Sequence, residues 1–441
     1  MLLLAQQMDK RVVVTGLGPV CSVGIGRKKV VEGLEKVRTG LTLHKEQLGG
    51  DLWEEFYVHE LSDFTFNDLG IDPSLAEEVL DQRNSKDDTD LKYLLASIKL
   101  AIDDSKLKYD LNNNDLGFIL THENPGSDRY AFQIINEFYN LLSNASSQKW
   151  SLKEVANYFY ERYSKVVYDL QTFMYLYYVS RVFSFHGYSL FINNACASGL
   201  YAIEAASARI RAGLNPVVIV AAADNPVLPF KYLWFKGLGL YSSDGKTKPF
   251  DKKRSGFVLG DGGGALMLED LDHALKRKAH IYAEYLGGGF SQDAWRVTVP
   301  DVEGGFYEKA LTEALRKSKV TPKEVDYLNP HGVGTSLGDR YEGRVIANVF
   351  GKRGERPFIS ALKPFLGHML GGSALTETVL TLLSIETGRI PATLNLEEVD
   401  DEIHINIVKK PVTAKVNVAV KMANGFAGYN AAVVFRKIDS L

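Results

Sequence analysis

Apolar positions along this chain switch repeatedly between the period of a strand and that of a helix. Arg11-Val-Val-Val-Thr-Gly-Leu17 is a continuous apolar run of the buried-strand type, and the spacing predicts a helix over 28–37 behind it. Leu91, Leu94, Leu95, Ile98 and Ile102 fall on one stripe and predict a helix over 87–105, followed by strand Phe118-Ile-Leu-Thr121. No proline occurs between Pro125 and Pro216, and this Tyr- and Phe-dense segment predicts helices over 129–143, 151–165 and 169–184. Next comes a clear βαβ unit: strand Leu190-Phe-Ile192, a turn through Asn193 to Gly199, a helix over 198–212 ending at Gly213, and strand 217–222. The alternation then repeats, with a helix over 305–318, a capping box at Thr321-Pro-Lys-Glu324, and short strands over 325–328 and 358–360. A helix over 373–387 closes at Gly388, and residues 403–436 alternate like strands around a turn at Asn424-Gly-Phe-Ala-Gly428. Strands alternating with helices specify an α/β fold. Without a linker or low-complexity stretch, the two units expected, 1–275 and 276–441, must pack tightly.

Charge and composition act mainly by exclusion. The 441 residues carry 51 Lys and Arg against 54 Asp and Glu, a net charge of −3. That balance makes no global case for nucleic acid or an anionic membrane surface. No apolar run approaches the ~20 residues of a membrane span. The start, Met1 to Arg11, puts its charges after a short apolar stretch, the reverse of a secretory signal. Two cysteines, Cys21 and Cys196, make no disulfide framework and point to a reducing, cytoplasmic compartment.

Cys196 stands at the strand-to-helix turn, where a helix N-terminus lowers a thiol pKa, and small neighbours admit a substrate. Cys21 has no helix behind it and reads as structural. His331 and His368 both follow strand ends and sit among glycines, where open α/β sheets gather ligands. Lys363 shares the loop of His368, while Asp339 and Glu342 follow His331 on the next helix. Gly16-Leu-Gly18 and Gly260-Asp-Gly262 brush against a dinucleotide fingerprint but lack its strand-turn-helix context. No cofactor is implied, and no cluster has the spacing of a metal site.

Five motifs stand in order along the chain: Asn194-Ala-Cys-Ala-Ser-Gly199, Lys248-Pro-Phe-Asp-Lys-Lys-Arg-Ser-Gly-Phe-Val-Leu-Gly-Asp-Gly262, Pro330-His-Gly-Val-Gly-Thr335, Lys363-Pro-Phe-Leu-Gly-His368 and Asn424-Gly-Phe-Ala-Gly-Tyr-Asn430. Together they resemble the β-ketoacyl-[acyl-carrier-protein] synthases of the elongating, two-histidine branch. The resemblance runs from residue 11 to 436, and it implies a thiolase-like fold: two similar halves stacked as a five-layer α-β-α-β-α sandwich. It implies decarboxylative Claisen condensation, with Cys196 as the nucleophile that takes an acyl group from an acyl carrier protein. His331 and His368 would activate malonyl thioester, with Lys363 beside them and Glu342 as that lysine's acidic partner. Phe426 would gate the acyl chain and, with Cys196, supply the oxyanion-hole N–H groups, while Val333, Thr335 and Gly428 would line the substrate path. The basic loop Lys246, Lys248, Lys252, Lys253 and Arg254 is the expected docking face for the carrier, and a homodimer or ketosynthase heterodimer is the expected assembly.

Val333 stands where the family usually has Thr, Ala427 and Tyr429 replace Gly and Thr, and Phe173 to Tyr178 is unusually aromatic in a region aligned with the acyl pocket and the dimer contact. These departures suggest a specialised synthase of polyketide or polyene type. A thiolase would need a further cysteine after Cys196, and none follows. The alternative is a chain-length-factor-like partner subunit, but such partners typically lose the nucleophile that this chain keeps.

Overall fold

The computed structural model describes residues 10–49, 51–82, 89–108, 115–123, 126–143, 151–164, 166–225, 227–351 and 357–438. The signal reading of residues 1–9, and the predicted helix positions 87–88 and 165, lie outside them. In the N-terminal half the main strands are β1 (Val12–Cys21), β2 (Leu116–Thr121), β3 (Ser189–Ile192), β4 (Val217–Asp224) and β5 (Gly262–Asp270). In the C-terminal half they are β6 (Ala283–Gln292), β7 (Tyr327–Asn329), β8 (Phe358–Ile359), β9 (Val418–Gly425) and β10 (Tyr429–Arg436). All lie in one eleven-stranded sheet whose path is β8-β7-β9-β10-β6-β1-β5-β4-β2-β3, with the short strand Gly24–Ile25 paired to β1.

The path is a repeat. In each half the first strand pairs antiparallel with the fifth and the fifth antiparallel with the fourth. The fourth then pairs parallel with the second, and the second parallel with the third. Even a register shift recurs, at Val14/Gly16 in β1 and Tyr285/Gly287 in β6. Pairing of Val12–Val14 with Ala283–Tyr285 joins the halves at their first strands.

Helices complete the layers. Helix α1 (Thr89–Ser105) covers the N-terminal half from outside, and α3 (Phe306–Lys317), with α4 (Ser336–Phe350) packed against it, covers the C-terminal half. Between the halves lie α2 (Ser198–Arg211) and α5 (Ser373–Thr387), each the helix that follows the third strand of its half. Outer and inner helices on two half-sheets give the five layers of the thiolase-like fold. The central core draws on both halves, including Val218 and Val220 of β4 and Ala419 and Ala423 of β9. Helix α5 is buried continuously from Ser373 to Ile385, which its small and apolar sequence allows.

Glycines set the spacing of these layers. A Cβ on Gly199 would come within 2.7 Å of the Leu375 backbone nitrogen, so the two central helices cross at that point. Gly16 and Gly18 lie under α1, where a Cβ would fall 2.3 Å from Ala101 O and 1.9 Å from Ser97 O. These two fingerprint-like glycines therefore serve helix-on-strand packing.

Most predicted elements fall where expected, within a few residues. The hairpin Leu41–Gly49 with Leu52–His59 carried no sequence signal, because Leu41, Leu43 and Leu52 point to solvent rather than to a core. The capping box at Thr321 heads only a single 3₁₀ turn, Pro322–Glu324.

Candidate active site

The repeat explains why distant residues meet. Cys196 lies between β3 and α2, and His368 lies in the equivalent place between β8 and α5. His331 follows β7, the second strand of its half. Carboxyl ends of parallel strands and the leading ends of both central helices thus share one crevice, and all three side chains line it.

The turn holding Cys196 is pinned locally. Ser198 Oγ accepts from Asn194 N at 2.7 Å and donates to Ala195 O at 2.6 Å, while Ala195 is held at a φ of 49°. The Phe426 N–H favours the thiolate form of Cys196, and Gly425 packs so closely that a Cβ would come 3.1 Å from Cys196 N. The expectation of a lowered thiol pKa is overturned. Burial pushes the thiol up, and the Glu123 charge adds to this, while Lys363 and the Phe426 N–H only partly oppose it. Burial of the sulfur outweighs the helix terminus.

The imidazoles of His331 and His368 meet edge to face, with ring centroids 5.6 Å apart at 78°. His368 is buried, and its Nδ1 lies 2.9 Å from Ser373 Oγ, which also accepts from Met369 N–H at 2.8 Å. Lys363 is fully buried; its Nζ donates to His331 O at 2.6 Å and lies 3.4 Å from His331 Nδ1. Burial and the neighbouring cations hold both imidazoles well below their ordinary pKa, so both are neutral near pH 7.

The acidic partner of Lys363 is Glu377, at 2.8 Å, and not Glu342. Glu342 instead accepts the backbone N–H groups of His331 at 2.6 Å and Gly332 at 2.7 Å, and the Tyr307 hydroxyl at 2.8 Å. It lies close to His331 in sequence and anchors that turn, whereas the lysine reaches across to α5. Glu377 was legible in principle as the lone charge in the first three turns of an otherwise apolar helix. Asp339 is buried as well, accepting from Gly334 N at 3.0 Å and Phe250 N at 2.6 Å, so it ties two loops together. Burial raises its carboxyl to about 7.

The crevice opens into a cavity of about 340 Å³. Val333, Thr335, Phe426 and Gly428 line it, and Glu123, absent from the sequence reading, lines it together with Cys196. Phe426 packs edge-on to Trp234 at 5.7 Å, and Ala427 behind it adopts a left-handed φ of 59°, a conformation that disfavours any side chain. None of Phe173 to Tyr178 is among the lining residues; Tyr175 and Tyr178 instead pack into the core under α1.

The basic loop is not a bare cationic face. Arg254 is buried, paired with Asp400 at 2.7 Å, and donates to Thr335 O and Ser336 O, so it fixes the cavity wall rather than offering a docking charge. Lys248 pairs with Asp244, Lys252 with Asp401 at 3.0 Å and Glu398 at 3.4 Å, and Lys253 with Glu397 at 3.7 Å; Lys246 is exposed. Among the described residues no group of three or more His, Cys, Asp or Glu could hold a metal ion, and no helix is long and apolar enough to cross a membrane.

This layered fold, with a turn cysteine facing two imidazoles, defines a condensing enzyme of the thiolase type. The family model for the beta-ketoacyl synthase N-terminal domain matches residues 9–274, and that for its C-terminal domain matches residues 282–397. The chain belongs to the β-ketoacyl synthase family. It is 30% identical over 445 residues to 3-oxoacyl-[acyl-carrier-protein] synthase 1 of Escherichia coli, covering 97% of this chain and 99% of that one. With a 3-oxoacyl-[acyl-carrier-protein] synthase homolog of Saccharomyces cerevisiae it shares 34% over 269 residues, 59% of this chain but only 61% of that relative's length. Among solved structures, the ishigamide ketosynthase/chain length factor superposes with a TM-score of 0.80 at 26% identity, covering 98% of this chain and 100% of that one.

Proposed function

We propose that this chain catalyses decarboxylative Claisen condensation between an acyl group held on Cys196 and a malonyl thioester on an acyl carrier protein. The observation that carries this reading is the meeting of the Cys196 thiol with two neutral imidazoles in one cavity. The Cys196 sulfur attacks the acyl thioester, forms an enzyme thioester and releases the carrier thiol. Proton loss from the buried thiol accompanies that attack. The N–H groups of Cys196 and Phe426 bracket the carbonyl oxygen that becomes negative. Malonyl then loses CO₂; the resulting enolate carbon attacks the acyl carbonyl, and the Cys196 sulfur leaves.

The hydrogen bonds fit the second step. Lys363 donates towards His331 Nδ1, which makes that nitrogen an acceptor and leaves the proton on Nε2. Ser373 Oγ accepts from Met369 N–H and has one proton to give to His368 Nδ1, with the same result. Two Nε2–H donors can then hold the enolate oxygen, each worth on the order of 3–4 kcal/mol. Lys363 is a positioning residue for His331, and Asp339 and Glu342 hold the loops that place it. Val333, Thr335 and Gly428 contact the carrier's pantetheine arm and the incoming acyl chain.

The partner is an acyl carrier protein, and a second ketosynthase-like subunit completes the assembly on strand β3, which lies at the edge of the sheet. The two units divide within the helix Leu271–Lys276, before the second repeat begins at β6. The setting is cytoplasmic fatty-acid or specialised polyketide synthesis. A chain-length-factor role would leave the thiol and both imidazoles without use.

Mass spectrometry after incubation with acyl-carrier proteins is expected to find the acyl adduct on Cys196. The Cys196→Ala protein should show none and make no condensation product; extension by that variant would sink the reading. His331→Ala should keep acyl transfer while decarboxylation falls by about 10²–10³-fold.

A further inference from the structure

Beneath the two imidazoles lies a group that the proposed chemistry does not yet use. Lys421 sits in the middle of β9, where alternate residues face opposite sides. Val418, Val420 and Met422 join the outer core of the C-terminal half, so Lys421 points with Ala419 and Ala423 towards the central helices. Those two small alanines leave width for its stem, and the side chain is fully buried. Its Nζ donates to Pro330 O at 3.0 Å and pairs with Glu377 Oε2. Lys363 takes the other oxygen of the same carboxylate, at 2.8 Å, and donates to His331 O at 2.6 Å. One carboxylate therefore bridges two ammonium groups. Those ammonium groups hold two successive carbonyls, Pro330 and His331, of the turn that carries the imidazole.

We propose that Lys421 is a positioning residue for decarboxylation: with Glu377 it clamps the His331 turn and sets a second positive charge under the imidazole pair. The inference rests on the condensing reading above. A single Lys363–Glu377 pair would be neutral, but the three groups together carry a net positive charge. The field favours neutral rings over imidazolium and favours the enolate anion that those rings must hold. The other groups facing the pair are Glu342 with Tyr307 bonded to it, Ser373 behind His368, and Cys196 with Glu123 across the cavity. Both lysines help hold His331 and His368 below the ordinary histidine range, in agreement with the geometry.

The test is Lys421→Met, which keeps the length of the stem and removes the charge. Three quantities are read on the full-length protein: acyl loading of Cys196 by mass spectrometry, CO₂ release from malonyl-carrier protein, and the pH dependence of that release. Removing a cation makes imidazolium easier to form, so the acid limb of the profile should move to higher pH by about half a unit. The decarboxylation kcat is expected to fall by about tenfold or more, with acyl loading unchanged. A variant that releases CO₂ at the wild-type rate with an unmoved acid limb would overturn the proposal. So would a variant that loses acyl loading in parallel, since that marks a merely structural lysine. Should the variant not fold, the wild-type profile decides: rings held neutral keep the rate level below pH 6.5, and an acid limb at or above 6.5 overturns the clamp. Wild-type protein that neither loads acyl groups nor releases CO₂ would instead defeat the condensing reading itself.

Discussion

Several of the residues nearest the chemistry do their work through the backbone. Glu342 spends both oxygens on the N–H groups of His331 and Gly332, and Asp339 spends both on Gly334 and Phe250. An acid that reads as solvated surface charge is thus an internal anchor. Asp339 also carries a pH signature. Its carboxyl is raised to about 7 by burial, so between roughly pH 4 and 7 the folded chain holds a proton that the unfolded chain has lost. The sign follows from linkage: this group's contribution to stability is full below that window and is lost as pH rises through it, at no more than about 1.4 kcal/mol per pH unit. The stability advantage of wild type over Asp339→Asn, measured by urea denaturation, should shrink from pH 5 to pH 7; an advantage that grows would contradict the assignment. Ala427 shows the opposite economy, a strained left-handed residue kept directly behind Phe426.

Among the elements, the two central helices matter most, because the segments leading into them carry Cys196 and His368 into one cavity. Helix α2 begins just after Cys196 and α5 just after His368, and they cross where Gly199 meets Leu375. The Cβ of Gly199→Ala would need room that the Leu375 backbone occupies, which forces the helices apart. Overpacking of this kind costs about 1–3 kcal/mol. Because the shift separates sulfur from imidazole, condensation should fall further than acyl loading does. Thermal melts together with the two assays check this; an unaltered ratio of condensation to loading would show that the crossing does not set the site.

At the level of the whole molecule, the halves share what they bury. Helix α5 belongs to the C-terminal half by sequence, yet it packs against β1 and β5 as well as β9. Each half alone would expose the central helices, so the chain should unfold as one cooperative unit despite its length and its internal repeat. Urea transitions followed by far-ultraviolet circular dichroism and tryptophan fluorescence are expected to coincide. Two separated transitions would mean that the halves are independent domains. Pairing of β1 with β6 is short, only three residue pairs, and the shared helical layer is the larger bond between the halves.

Local pattern alone determined a good deal: the βαβ unit around Cys196, the strand ends before His331 and the loop before His368, and most helices with a buried stripe. Each of these is written in the spacing of neighbours, which survives without a third dimension. The hairpin at 41–59 was invisible because Leu41, Leu43, Leu52 and Trp53 face water, and of its apolar residues only Phe56 and Val58 near its end are buried. The partners of charges were decided only by tertiary structure. Lys363, Glu377 and Lys421 come from a loop, a helix and a strand that the repeat folds together, and although Glu377 stands out as a charge within α5, nothing local says that it rather than Glu342 reaches the lysine. Likewise the basic loop reads as a free patch until Asp400, Glu397, Glu398 and Asp401 are packed against it. Periodicity reports which side of an element is dry, but a buried charge is satisfied by whatever the packing brings within about 3 Å, and that is a property of the assembled layers.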